Sequence, residues 1–256
     1  MESERIRTGE RRVATGTLTE LTAGAPSAER PTLVLLHGIQ GSASAWKPLM
    51  ERLPPEIHAL APNLRGRAGS HAPDRLEAYG LDGFAADVAA YTAGIAGPFV
   101  LAGWSMGVLV SLEYIARHGC GRLAGLVLIG GTAHPGTGPG TGCRWFAGET
   151  PERIAEEAAR RAEALRLTET ATPFAVAGSW MAARRADHRG TLAAVSVPTL
   201  VVHGAADDQC PLSHGRAIAD AITGAALEVW EGCGHNPMAH DPQRMADALA
   251  AFVARL

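Results

Sequence analysis

The residues best placed to do chemistry are Gly103-Trp104-Ser105-Met106-Gly107. They lie between the apolar run Phe99-Val100-Leu101-Ala102 and a helix-forming run over 108–118. A short strand is therefore expected to enter a helix through a turn too tight for bulky side chains. Glycines two residues before and two after Ser105 relieve the crowding because they lack a Cβ. The serine is then held in a strained conformation with its hydroxyl exposed at the strand's C-terminal edge, and the Met106 amide points at the same spot from the helix N-terminus. This strand-turn-helix setting is what the G-x-S-x-G nucleophile elbow requires. The plain alternative is a Gly/Ser turn with no chemistry. A serine hydroxyl is a poor nucleophile near neutral pH and needs an adjacent base, so other stretches of the chain must supply one.

The elements that must position these groups alternate. Continuous apolar runs of strand length occur at 32–36, 99–102, 123–129 and 198–202, as in strands buried on both faces of a parallel sheet, and 57–61 and 227–231 read as further strands. Residues 13–21 alternate weakly and read as an opening strand or hairpin, with 23–30 a loop. Helices are expected around 46–53, through the stripe Leu81, Phe84, Val88, Tyr91 and Ile95, after Ser105, over 212–222, and from the Asp241-Pro242 cap to the end. Together these give an α/β fold with a mostly parallel, doubly wound sheet. Residues 133–194 break the pattern: they contain no strand-like run and open in a Gly/Pro/Thr loop. A helix then starts at Thr150-Pro151, with Ile154, Ala158, Ala162 and Leu165 on one face and Glu156/Arg160 and Glu157/Arg161 spaced for pairing. The expectation is a core of 1–132 and 195–256 carrying an inserted helical lid, 133–194.

A chain of 256 residues, 46% hydrophobic and 19% charged, can bury one large core. Its net charge of -3 gives no electrostatic case for nucleic acid or an anionic membrane surface. The first twelve residues carry no apolar run of the kind a signal peptide needs, and no segment is long and apolar enough to span a bilayer. Cys120, Cys143, Cys210 and Cys233 are far apart in sequence, with no C-x-x-C pair. That suits free thiols in a reducing compartment, and the cytoplasm is the expected location. The glycine-rich run 136–142 fits neither a dinucleotide nor a Walker spacing, and no metal-ligand motif is present. No cofactor and no metal are expected.

In four stretches the chain resembles the α/β-hydrolase superfamily, over essentially its whole length. These are His37-Gly38, the Gly103 to Gly107 elbow, Gly204-Ala205-Ala206-Asp207 with Pro211, and Gly232-Cys233-Gly234-His235. They follow the family's order of serine, acid and histidine. The resemblance implies the α/β-hydrolase fold and a catalytic triad in which Ser105 attacks, His235 moves the proton and Asp207 orients the imidazole and stabilises its cation. It also implies a backbone oxyanion hole from Met106 and from Ile39, just after His37-Gly38. Asp208 competes with Asp207 and His240 with His235, but the family spacing favours Asp207, and His240 abuts the Asp241-Pro242 cap. His37 and His203 read as loop-organising residues with satisfied hydrogen bonds. His58, His71, His118, His134, His188 and His214 have no partner pattern and are expected in solvent. Val108 and Asn63 depart from the family, where glycine and aspartate are common. Trp104 is shared with carboxylesterases that cleave the methyl ester of pimeloyl-carrier protein.

The implied reaction is cleavage of a small-molecule carboxylic ester or thioester through an acyl-enzyme. Gln40, Trp104, Trp145, Phe146, Phe174, Trp180 and Met181 are candidates for an apolar substrate pocket. Arg144, Arg184 and Arg185 could meet an acidic group or a carrier protein, or simply form a solvated face. Lactonase, carbon–carbon bond hydrolase, acyltransferase and cofactor-free perhydrolase or haloperoxidase chemistry are alternatives on the same machinery. Outside enzymes, the alternative is a ligand-sensing receptor.

Overall fold

The computed structural model of this protein describes residues 5–136, 142–143 and 145–256. Arg144 and residues 137–141 of the glycine-rich run lie outside the described residues. The strands are β1 (Ile6–Val13), β2 (Gly16–Ala23), β3 (Thr32–Leu36), β4 (Ala59–Pro62), β5 (Phe99–Trp104), β6 (Leu123–Ile129), β7 (Thr199–Gly204) and β8 (Ala226–Trp230). Among the described residues they form one sheet in the order β1-β2-β4-β3-β5-β6-β7-β8. The β1–β2 and β2–β4 pairs are antiparallel, and every pair from β4 to β8 is parallel.

The period-2 alternation of side chains along each central strand explains both faces. Leu33, Leu35, Val100, Ala102, Val127 and Ile129 point to one side, where Trp46, Leu49 of α1 (Lys47–Met50) and Met245, Leu249 and Phe252 of α9 (Pro242–Val253) cover them. Val34, Leu36, Phe99, Leu101, Leu126 and Leu128 point to the other. There they meet Phe84, Val88 and Tyr91 of α2 (Leu81–Thr92) and Leu109 and Leu112 of α3 (Met106–His118). Apolar residues on both faces are what made these strands continuous apolar runs.

Between the neighbouring strands β6 and β7 the described residues make three helices, α4 (Pro151–Ala164), α5 (Pro173–Ala183) and α6 (Arg189–Leu192). Thr150 and Thr172 cap α4 and α5, each accepting a backbone N–H. After β7 come α7 (Leu212–Ala221), β8 and α8 (Pro237–His240). Asp241 then accepts the Arg244 N–H at 2.9 Å to start α9.

Several local expectations are corrected. The hairpin is β1–β2, and its first strand begins at Ile6, well before residue 13. The helix expected over 46–53 is one short α-turn after a 3₁₀ turn at Ala43–Trp46. Leu165, expected on the buried face, is 58% exposed, because α4 ends at Ala164 and the backbone turns left-handed at Arg166 (φ 51°). Glu156 pairs with Arg160 at 3.9 Å. Glu157 instead accepts the N–H groups of Ala147 and Gly148, while Arg161 donates to the Trp145 carbonyl and Gln209.

Candidate active site

Ser105 has φ 56° and ψ −116°, a conformation side chains other than glycine rarely adopt. The neighbouring glycines make it attainable: a Cβ on Gly103 would stand 2.3 Å from the Gly107 carbonyl oxygen, and one on Gly107 2.4 Å from that of Leu36. β5 and α3 thus cross in near backbone contact, with the serine at the bend. Met106 opens α3, so its N–H has no intrahelical acceptor.

The ends of three strands bring the remaining groups together. The loop after β7 carries Asp207, the loop after β8 carries His235, and β5 ends at the serine. His235 Nε2 is 2.9 Å from Ser105 Oγ, and His235 Nδ1 is 2.9 Å from Asp207 Oδ2. Asp207 is buried, and its Oδ1 accepts the N–H groups of Gln209 and Cys210 at 3.0 and 2.8 Å. Burial alone would raise its pKa. Hydrogen bonds from His203 and His235, the His235 charge and the Cys210 N–H outweigh that and hold the carboxyl well below the usual carboxylate range. The Trp104 indole N–H donates to the His235 carbonyl at 2.8 Å, bracing the His235 loop against the strand that carries the serine. Asp208 and His240 are exposed and take no part in this relay.

His37 is fully buried, and burial followed by the Arg67 charge lowers its pKa to about 3. Its Nε2 accepts the Leu64 N–H at 3.1 Å, so Nδ1 carries the proton and donates to the Gly38 carbonyl at 2.8 Å. Gly38 abuts the serine: a Cβ there would be 3.2 Å from Ser105 Cβ. His203 donates from Nε2 to the Cys210 carbonyl at 2.8 Å, but its buried Nδ1 has no partner, so only one of its two ring nitrogens is satisfied.

A cavity of about 350 Å³ opens over Ser105 and His235. Of the expected lining residues, Gln40, Trp104 and Trp145 form its wall, together with Ile39, expected as an oxyanion donor. Phe146 and Trp180 are buried behind Trp145, with ring centroids 6.4 Å from each other and Trp145–Trp180 at 5.2 Å. Phe174 packs edge-on against Tyr79, and Met181 is half-buried against the core. None of these four faces the cavity. Leu165 and Leu167, with Arg161, Glu169 and Gln209, complete it instead. Leu165, Leu167 and Glu169 belong to the α4–α5 link, where the periodicity that places Leu165 on the buried stripe of α4 gives no signal for a pocket wall. Arg184 is paired with Glu149 at 2.9 Å, and Arg185 is exposed. A larger depression of about 710 Å³ lies at the opposite end of the sheet, around 26–32 and 94–98, away from Ser105.

Most of the remaining histidines are not in solvent as expected. His188 is buried 3.4 Å from Glu113, His58 meets Thr32, His71 meets Thr15 and Asp87, and His134 reaches the Ala186 carbonyl. Only His118 is exposed, beside Tyr114. The cysteines are free thiols, yet the fold brings two distant ones together: Cys143 Sγ and Cys210 Sγ lie 3.2 Å apart. With His214, which hydrogen-bonds Thr132 through Nδ1, they place three potential metal-ligand atoms within 4.8 Å of one another.

The mostly parallel sheet, with a serine on a strained bend and histidine and aspartate converging from later strand ends, has the architecture of an α/β hydrolase. The model of the alpha/beta hydrolase family matches residues 33–248, and the chain belongs to that family. It is similar to a pimeloyl-[acyl-carrier protein] methyl ester esterase of Aromatoleum aromaticum, 28% identical over 85% of this chain and 96% of the relative. The AB hydrolase superfamily protein YisY of Bacillus subtilis is 27% identical over 86% and 90%. Among solved structures, the esterase RhEst1 from Rhodococcus sp. ECU1013 superimposes with a TM-score of 0.79 at 27% identity, covering 97% of this chain and 99% of that one. No helix among the described residues is long and apolar enough to cross a membrane.

Proposed function

We propose that this hydrolase cleaves a carboxylic ester or thioester through an acyl-enzyme formed on Ser105. The observation that carries the reading is the unbroken line Asp207–His235–Ser105, with 2.9 Å at each step, at the floor of a cavity. His235 takes the serine proton as Oγ attacks the carbonyl carbon and returns it to the departing alcohol or thiol; a water then repeats the sequence to release the acid. Asp207, kept anionic, holds the imidazole with Nδ1 protonated and stabilises its cation. Ile39 and Met106 donate their N–H groups to the oxygen that becomes negative, a contribution of about 3 kcal/mol for one such donor. We assign the helical segment 133–194 as the lid, with Trp145, Leu165 and Leu167 as its apolar contribution to the pocket. The similarity to esterases, one of them named for a carrier-protein ester, supports an ester substrate and makes a carrier-borne acyl group a class to test. The free thiols suit a cytoplasmic setting.

The fold does not choose among chemistries. A chain-length series of chromogenic esters and thioesters, run on wild type and Ser105→Ala, tests the proposal. Prompt release that depends on Ser105, with a fluorophosphonate adduct on Ser105 that is lost in His235→Ala, is expected. Turnover confined to lactones or diketones overturns the ester assignment, and absence of any turnover favours a ligand sensor.

A further inference from the structure

The fold buries one charge that the relay leaves unused. Arg67 is 1% exposed and, among the described residues, forms no ion pair. Its neighbour Arg65 is clasped by both oxygens of Asp87 at 2.6 Å. A buried guanidinium without a counter-charge is costly to a fold unless its N–H groups are well used. Three bonds use its Nη groups, each to a different segment, while the buried Nε has no partner among the described residues. Nη1 donates to the Arg65 carbonyl at 2.8 Å within its own turn, and Nη2 donates to the Ile39 carbonyl at 2.7 Å and to Ser179 Oγ of α5 at 2.9 Å. Ser179 gives its own proton to the Ala175 carbonyl at 2.6 Å, so its oxygen is free to accept from Arg67. The Phe84 ring lies 5.1 Å from the guanidinium carbon.

The loop after β3 is held one peptide plane at a time. The Gly38 carbonyl takes the His37 Nδ1–H at 2.8 Å and the Gly41 N–H at 3.2 Å. In a trans peptide the following N–H points the opposite way, so these two bonds aim the Ile39 N–H. The next plane is held from the Ile39 carbonyl by Arg67, and the one after by Thr170 Oγ1 and the Ala171 N–H on the Gln40 carbonyl. With the Ile39 carbonyl released, the plane beside the oxyanion donor could rotate and carry that donor off line. We infer that Arg67 is a positioning residue for the reaction: by holding the Ile39–Gln40 peptide plane it restrains rotation about Ile39, so that the adjoining Ile39 N–H stays directed at the oxygen developing charge, and through Ser179 it ties that alignment to the seating of α5. This rests on the oxyanion-hole reading above.

The test uses the full-length protein and a p-nitrophenyl butyrate assay, with Arg67→Met, Arg67→Lys and Ser179→Ala. Loss of one oxyanion donor costs on the order of 100-fold or more in kcat, so Arg67→Met is expected to lower kcat about 100-fold with KM within about threefold. Lysine, a single-point donor without the fork, should recover only part of that loss, and Ser179→Ala should lower kcat by about threefold to tenfold. An alkyl trifluoromethyl ketone, which forms a charged tetrahedral adduct on the serine, reports the hole directly. Its affinity should fall across the variants by the same factor as kcat/KM, while the matching alkyl alcohol binds unchanged. A merely structural arginine would weaken both ligands or neither. Folded Arg67→Met with kcat within threefold of wild type overturns the inference, as does a loss confined to KM or a ketone affinity that does not track kcat/KM. Should Arg67→Met fail to fold, Arg67→Lys with wild-type kcat and ketone affinity overturns it equally. Failure of the underlying reading is separately visible: wild type would then give no fluorophosphonate adduct on Ser105.

Discussion

At Ser105 the backbone is strained and the side chain meets the His235 imidazole at 2.9 Å. Conformations of this kind cost about 1–3 kcal/mol and persist where the surroundings over-determine them. Gly103 and Gly107 do so here. Ser105→Ala is expected to reduce kcat by about a million-fold, measured with an active-site-independent protein assay. Asp207→Asn should cost about ten-thousand-fold, since the amide can stabilise the wrong imidazole tautomer, with the circular dichroism spectrum unchanged. These residues were legible from sequence because each stands in a polar loop directly after an apolar strand, where local composition carries the signal. Arg65 and Arg67 were not. A basic turn reads as solvated, and the groups that bury it, Asp87 and Ser179, lie 22 and 112 residues further along.

Among the elements, the crossing of β5 and α3 is the tightest. Gly103→Ala would force a Cβ to within 2.3 Å of the Gly107 carbonyl oxygen and 2.7 Å of Ser111 Oγ, both in the buried crossing. The expected cost is about 3 kcal/mol or more, read as a lower urea midpoint or as insoluble protein. Asp241→Ala removes the α9 cap and should cost about 1 kcal/mol, with activity retained. The central strands were legible because burial on both faces leaves a continuous apolar run. Of the β1–β2 hairpin only the second strand is legible, because β1 is half-exposed along its length and carries Arg7, Glu10, Arg11 and Arg12. The pocket wall was misjudged for a different reason: aromatic residues in 133–194 were assigned to it by type. Type does not reveal that Phe146 and Trp180 stack behind Trp145 while Leu165 and Leu167 turn outward to the cavity mouth.

For the whole molecule, the buried imidazole of His37 sets how the fold responds to acid. In the folded chain its pKa is about 3 against an ordinary 6.5, so between those values the unfolded chain binds a proton that the native chain refuses. Stability therefore rises with pH across this window and is lost as pH falls from 6.5 towards 3, by up to about 1.4 kcal/mol per pH unit. Asp207, whose pKa is lowered on folding, acts with the same sign at the acid end: its contribution is present above the ordinary aspartate value and is lost as pH falls through its lower native one. Urea unfolding at a series of pH values should show a plateau above about 6.5 and a steepening decline below it. A midpoint that stays flat down to pH 4 would contradict the burial of a neutral ring there.

The chain leaves the sheet at the end of β6 and returns at β7, and those two strands are hydrogen-bonded neighbours. The two run parallel, so the excursion leaves at the C-terminal edge of β6 and crosses back over the sheet before entering β7, whose first residue, Thr199, pairs with Leu126. The excursion's length and sequence can drift, or be exchanged wholesale with a relative's, without altering the register of any strand.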